Sequence, residues 1–204
     1  HGLLGVIIFS GSLPATRIAV LEMDPFFLTF LRASIAGLVA VALLKGFRQP
    51  RPHRGQILPL LIVSLGVIIG FPLLTALALR YVTAAHSIVF IGLLPLATAI
   101  FGVLRGGERP RIAFWIFSLL GSLLVAGFAL FQSATLSLTG DALMLGAVLA
   151  CGLGYAEGAK LTRELGGWQT IGWALLISLP VMLLAAFITR PPLFGAFSPS
   201  VWLA

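Results

Sequence analysis

Glu157 is the acid whose setting most invites chemistry. It follows Tyr155 in the segment GLGYAEGAK, close to the end of a long apolar run. An ionisable group inside such a run costs a few kcal/mol on insertion scales, so it marks a functional site by default. An acid in a low-dielectric setting could take up and release a proton. The alternative is a Glu near an interface, paired with Lys160 or with solvent. Arg32 lies about 10 Å inside another apolar run by helical rise. It could snorkel outward, pair with an acid such as Asp24, or bind a solute. His86 shares a helical face with Phe90, and Ser87 is adjacent. One polar group beside an aromatic ring suits an amphipathic or aromatic solute, and an interfacial His bonded to backbone is the plainer reading. Enzyme chemistry finds no foothold, because HExxH, GxSxG, aspartates at catalytic spacing and a phosphate-cradling Gly loop are all missing. His1, His53 and His86 are scattered, and Cys151 is the only cysteine. That rules out an intrachain disulfide and a metal site built on cysteine spacing. No enzyme activity, cofactor or metal is expected.

The elements that position these groups must be membrane helices. The chain has 204 residues, 59% of them hydrophobic and 9% charged, with a mean hydropathy of +1.11. Soluble domains carry about 25% charged residues, so lipid must cover much of this surface. A span needs about 20 apolar residues. Seven stretches qualify, 3–21, 25–44, 57–79, 84–104, 112–131, 142–161 and 168–188. The short connections make neighbours antiparallel in one bundle, an all-α polytopic membrane protein. The chain starts without Met and stops at Ala204 inside a new apolar run beginning near Ser198. A fragment lacking a few residues in front and a larger piece behind is the expectation.

The formal charge of +7 sits in short runs between the apolar stretches, as topology signals do, and not on a continuous basic face. Nucleic acid is therefore not an expected partner. Lys45, Arg48, Arg51, Arg54, Arg105, Arg109, Arg111, Lys160 and Arg163 fall on one side, with Arg17, Arg80 and Arg190 on the other. The positive-inside rule then puts the nine-charge side, and the N-terminus, in the cytoplasm.

Prolines inside spans remove backbone donors and kink helices. Pro95 lies about 16 Å deep by helical rise, Pro180 similarly deep, and Pro14 and Pro72 off-centre. Each is either a structural kink or part of an interrupted, cavity-lining helix. Gly66 with Gly70, Gly102 with Gly106, and Gly154 with Gly158 are four apart, a spacing that lets helix backbones approach closely.

Residues 76–127 carry Ala78, Leu79 and Tyr81, then Ala84 and Ala85, Pro95, Glu108 with Arg109, and Gly121 with Gly127. In order and spacing this resembles the EamA-type drug/metabolite transporters: a helix ending Ala-Leu-x-Tyr, small residues, a helix with central Pro, a Glu-Arg pair, and a Gly-rich helix. Pro25, Phe30 and Arg32 resemble the same family's Pro-x(4)-Phe-x-Arg start. The resemblance implies inverted five-helix repeats, the second incomplete: 1–131 as the first repeat, 132–140 as an external linker, and 141–204 as part of the second, ending at the start of span eight. A shift of 141 residues lays Leu4, Gly5, Gly11, Ala15, Thr29, Ala33, Leu38 and Leu43 on Leu145, Gly146, Gly152, Ala156, Thr170, Ala174, Leu179 and Leu184. In so apolar a chain, about half of such matches would arise by chance. Glu157 falls on Thr16 in this shift, and the family pattern more often has an uncharged residue at Glu157.

The resemblance also implies that Ser10, Ser12 and Thr16 in span one, and Phe71 with Thr75 in span three, belong to cavity-lining spans. Taken alone, Ser and Thr in such helices usually satisfy backbone carbonyls. Together with His86, Phe90, Tyr155 and Glu157 they form the expected solute-binding set. Pro14, Arg32, Pro72, Pro95, Glu108 and Pro180 form the expected structural or gating set. The function implied is a secondary transporter exporting amino acids or similar small metabolites across the cell membrane, with proton coupling as a candidate. A non-transporting membrane subunit or receptor-like bundle is the alternative, and an intramembrane enzyme the remotest. Phosphate-bearing solutes would need several cavity cations, and Arg32 alone favours a neutral or zwitterionic solute. The sequence leaves the oligomeric state open.

Overall fold

The computed structural model describes residues 3, 7, 9–107, 109–131 and 137–191. Glu108 and the apolar run from Ser198 lie outside the described residues. Among the described residues, Leu3, Ile7, Phe9 and Ser10 are helical ahead of a turn at Gly11, and seven helices follow in order: α1 Ser12–Glu22, α2 Pro25–Gly46, α3 Arg54–Ala78, α4 Ala84–Gly106, α5 Ile112–Phe131, α6 Leu138–Leu165 and α7 Gly167–Ile188. Of these, α2, α3, α4, α6 and α7 are long and apolar enough to cross a membrane. The outward faces carry large apolar side chains such as Leu65, Leu104, Phe117, Leu124 and Leu184, all exposed. The chain is an all-α polytopic membrane protein.

The helices begin and end where polar or flexible residues interrupt the apolar runs. Asp24 caps α2, its Oδ1 accepting from the backbone N–H groups of Phe26 and Phe27 at 2.9 and 3.1 Å. Thr83 caps α4 and Ser137 caps α6 in the same way. These caps satisfy donors that hydrocarbon could not. Gly107 and Gly166 end α4 and α6 with φ of 63° and 94°, angles at which a side chain would be strained.

The largest departure from the expected spans is α6. Hydropathy places it at 142–161, whereas the helix runs 28 residues, about 42 Å by helical rise. Capping by Ser137 and the helical polar turns at both ends extend it beyond the apolar stretch. Leu138 to Gly140, assigned above to the linker, are its first turn.

Helix α6 is the centre of the packing, lying against α3 and α4 with α7 at its flank, while α2 runs along α7. Small residues make this possible. A Cβ on Gly66 would lie 2.4 Å from the Ala150 carbonyl oxygen and 3.1 Å from the Gly154 Cα. A Cβ on Gly152 would lie 2.9 Å from the Ala97 Cβ. The glycines thus bring α3 and α4 into backbone contact with α6. Gly158 is ordinary by comparison, 3.6 Å from Val63. Leu60, Val63, Leu161, Ala174 and Met182 fill the core between α3, α6 and α7.

Polar contacts mark two ends. At the end with the basic loops, Gln56 donates to Glu164 at 2.7 Å and Gln169 to Gln49 at 3.2 Å. At the opposite end, the start of α6 touches the connector 79–83, where Gly140 packs on Val82. The nine cations counted above therefore gather at one end.

Gly154→Val should destabilise the bundle by about 1–3 kcal/mol through overpacking. Gly46→Ala, at a helical position with open space around it, should keep stability or raise it by up to about 1 kcal/mol. Thermal unfolding of both variants in detergent checks the pair, and equal melting temperatures would contradict the close approach.

Candidate functional site

Helix α3 loses its regular hydrogen bonding midway, where Ser64–Gly70 forms π-helical turns directly before Phe71 and Pro72. Such bulges often sit at functional sites. Pro72 brings no N–H, so a carbonyl of the preceding turn is left without its helical donor. Gly70 and Gly66 let this widened segment press against α6.

A cavity of about 190 Å³ opens beside this irregularity. Ser12 and Thr16 of α1 line it, with Arg32 of α2 and Val67, Phe71, Pro72 and Thr75 of α3. Ile91 of α4 and Tyr155 of α6 close it. The Thr16 hydroxyl donates to the Ser12 carbonyl at 2.6 Å and accepts from Arg32 Nη1 at 3.0 Å. Arg32 and Pro72 also line a second pocket of about 210 Å³ with Ile68. None of the four ion pairs among the described residues includes Arg32. Thr75 is 4% exposed, and its buried Oγ1 has no hydrogen-bond partner. An unmade hydrogen bond of that kind costs about 1–3 kcal/mol. The cavity therefore presents a guanidinium and hydroxyls to whatever enters it.

A larger, mostly apolar cavity of about 760 Å³ lies between α4, α5 and α6. Leu94, Pro95, Thr98 and Phe114 line it, with Arg109 near its basic-loop end. Ile91 and Tyr155 belong to both cavities and form the wall between them. Next to that wall, α4 breaks at Gly92 and Leu93 before resuming at Leu94 with Pro95 in its first turn. Gly92 is hemmed in by Val125 of α5, 2.7 Å from an added Cβ.

Ser12, Thr16, Phe71, Thr75 and Tyr155, expected as solute-binding residues, thus meet around one cavity, with Arg32 and Pro72 beside them. The others lie elsewhere. Ser10 donates to the Ile7 carbonyl at 2.7 Å and does not line the cavity. Glu157 is buried near the basic-loop end, where Arg105 Nε donates to its Oε1 at 2.6 Å and Lys160 Nζ lies 3.5 Å from its Oε2. Lys160 also donates to the Arg105 carbonyl. His86 sits against Phe90 with ring centroids 5.7 Å apart, at the opposite end from Glu157. Its partner is the Asp141 carboxylate at 2.6 Å, where a backbone partner was the plainer expectation. Phe90 packs into the cluster of Ala78, Val82 and Met144.

Two structural expectations change. Arg32 does not pair with Asp24, because that carboxylate caps α2 and Arg32 reaches Thr16. Helix α7 runs as an unbroken α-helix through the exposed Pro180, whereas Pro14 follows a turn at Gly11 that separates α1 from the helical residues Phe9 and Ser10. Among the described residues, Pro14, Pro72 and Pro95 accompany interrupted helices. Sequence reasoning missed Ile91, Val67, Arg105 and Asp141. Ile91 and Val67 look like any apolar residue, and the charged pair partners lie 52 and 55 residues away from Glu157 and His86.

The EamA-like transporter family model matches residues 1–131. The chain belongs to the EamA-like transporter family. It is 63% identical over 204 residues, all of this chain and 68% of the relative, to an uncharacterized transporter, YdeK, of Bacillus subtilis (strain 168). It is 30% identical over 152 residues, 70% of this chain and 50% of the relative, to an uncharacterized transporter of Archaeoglobus fulgidus. No solved structure matches the chain. This EamA-family chain is a membrane transporter and not an enzyme, so the cavity residues are to be read as solute-handling groups.

Thr75→Val keeps the side-chain volume and removes the unpaired hydroxyl. It should stabilise the folded protein by about 1–3 kcal/mol, whereas Thr75→Ala should not, because it leaves a void. Chemical unfolding of the two variants measures the difference, and a destabilised Thr75→Val would mean the hydroxyl has a partner.

Proposed function

We propose that this protein is a secondary transporter that exports amino acids or similar small zwitterionic metabolites across the cytoplasmic membrane by alternating access. The observation that carries this reading is the cavity at the π-helical turn of α3, where Arg32, Thr16 and Thr75 converge. A guanidinium and hydroxyls suit a carboxylate. The carbonyl freed by Pro72 suits an ammonium group, as at other interrupted transporter helices. Phe71, Ile91 and Tyr155 offer apolar surface to a side chain. A volume of about 190 Å³ lies below that of drug-sized pockets, about 300–1,000 Å³, which favours a small solute over a nucleotide sugar.

Alternating access would pass the solute between the smaller and the larger cavity, with Ile91 and Tyr155 as the wall that opens. The break in α4 at Gly92 and Leu93 gives that wall a hinge. The gathering of nine cations at one end supports a cytoplasmic assignment for that end and for the N-terminus. Proton coupling fits Glu157 poorly, because Arg105 and Lys160 neutralise the carboxylate and make it a tie between α4 and α6. The inverted pairing of 1–131 with 141–204 is part of this proposal.

Efflux of labelled neutral amino acids from liposomes holding the full-length protein tests it. Saturable efflux should fall about tenfold or more in Arg32→Gln, the loss expected for one charge-assisted hydrogen bond. Amines lacking the carboxylate should fail to compete. Unchanged efflux in Arg32→Gln would remove the carboxylate site. No efflux from folded protein would favour a non-transporting membrane subunit.

A further inference from the structure

Helices α2 and α7 lie antiparallel, with Gly172 facing Leu44 and Gly37 facing Leu179. Small residues leave a trough along this seam. Ala40 and Gly172 are buried at its floor, and the exposed Val39, Leu43 and Ile171 stand as its walls. Its volume is about 530 Å³. The trough ends at Trp168, beside the basic loops, where Phe47 packs on the indole. Every side chain along it is apolar apart from the indole N–H.

The trough continues beyond the α2–α7 seam. Ala36 and Leu175 line both it and the pocket of about 210 Å³ beside Thr29. Arg32 and Pro72 line both that pocket and the solute cavity. Three spaces thus adjoin in sequence, from the Arg32 guanidinium to Trp168. Along α2 the path from Arg32 to Leu43 is about 16 Å by helical rise, the reach of a medium-length acyl chain. One end is a cation whose Nη1 donates to Thr16, and the rest is apolar. A guanidinium inside a span is costly unless a partner meets it, and a carboxylate fits its planar fork with two hydrogen bonds.

A phospholipid answers this pattern poorly. Entering from the Trp168 end, its tail would bring a methyl group to Arg32. Entering from the other end, its phosphate would stay at the interface, about 10 Å from Arg32 by helical rise. A single-chain carboxylate satisfies both ends at once. We propose that a fatty acid binds this protein, with its carboxylate on Arg32 and its chain along the α2–α7 trough to Trp168. Because the trough walls face outward, such a ligand enters sideways from the bilayer and needs no aqueous path. It takes the guanidinium that the transported solute uses, so it inhibits transport competitively. That consequence rests on the carrier reading above, whereas the fatty-acid site does not.

The test uses the full-length protein in nanodiscs and a fatty acid brominated near its chain end, which quenches tryptophan on contact. The acid should quench fluorescence saturably, and Trp168→Phe should remove that quenching. The methyl ester of the same acid enters the bilayer but lacks the charge, so it should give no saturable quenching. Arg32→Gln should weaken binding of the acid about tenfold or more, the loss expected for one charge-assisted hydrogen bond. Ala36→Phe, where trough and pocket meet, should block binding. Leu38→Phe, exposed and lining neither space, should not. Equal quenching by acid and ester would mean that any acyl chain fills the trough, and overturns the proposal. Absence of quenching in folded protein, as when other spans of the full-length chain cover the trough, overturns it too. In liposomes the acid should raise the half-saturating amino-acid concentration without lowering maximal efflux, and the ester should not. Saturable quenching by the acid without any efflux would leave the fatty-acid site standing and refute the carrier reading. Efflux that falls in Arg32→Gln, with no saturable quenching in the parent protein, would refute the site and leave the carrier reading standing.

Discussion

Hydrocarbon offers no hydrogen-bond partner, and each backbone N–H or C=O left unpaired in it costs several kcal/mol. Nearly every feature of this protein follows from that constraint. Helices satisfy their own backbones, so the described chain is helix joined by short caps and turns. Asp24, Thr83 and Ser137 cap helix starts, where four donors would otherwise go unmet. The same constraint makes an irregular backbone informative. The π-helical turns of α3 and the break in α4 can exist only where protein or a water-filled cavity takes up the freed groups, and both lie at cavity walls.

Within lipid there is little hydrophobic drive to press helices together, so close packing must supply the adhesion. Helix α6 obtains it through glycine. Gly154 meets Gly66 of α3 nearly backbone to backbone, and Gly152 meets Ala97 of α4. These contacts put α6 at the centre and bring Tyr155 to the junction of two cavities. The side chain that would serve as a wall between them is therefore positioned by neighbouring residues that have no side chain at all.

Polar side chains in the bundle are few, and their distribution separates three roles. Thr16 and Arg32 bond to each other at a cavity, which keeps a guanidinium available inside the membrane. Arg105, Glu157 and Lys160 tie α4 to α6 at the basic-loop end. His86 and Asp141 join the same two helices at the other end. Helices α4 and α6 are thus held by charge at both ends and by small residues between. Among the described residues, three buried side-chain atoms have no partner, Arg17 Nη1, Thr75 Oγ1 and His86 Nδ1, and of these Thr75 lines the cavity.

Much of this was legible in the residues alone. Apolar runs of about 20 residues dictate spanning helices because lipid permits little else, and five of the seven expected spans match the observed helices to within three residues at each end, while the first is divided by the turn at Gly11. The order of Pro25, Phe30 and Arg32, and of Pro95 with the Ala-Leu-x-Tyr segment, carried the family. Hydropathy misjudged the ends of α6, since capped polar turns are helical without being apolar. Sequence also grouped Ser12, Thr16, Phe71 and Thr75 as cavity candidates, although only through the family resemblance. Tertiary structure alone decided which of the candidates share a space. Glu157 and His86 look equally exposed to function in the sequence, yet each has a charged partner more than 50 residues away. Local pattern determines which helices form, because backbone satisfaction is local. Pairing between distant side chains depends on how the helices are rotated and how closely they approach, which glycine contacts between different helices set.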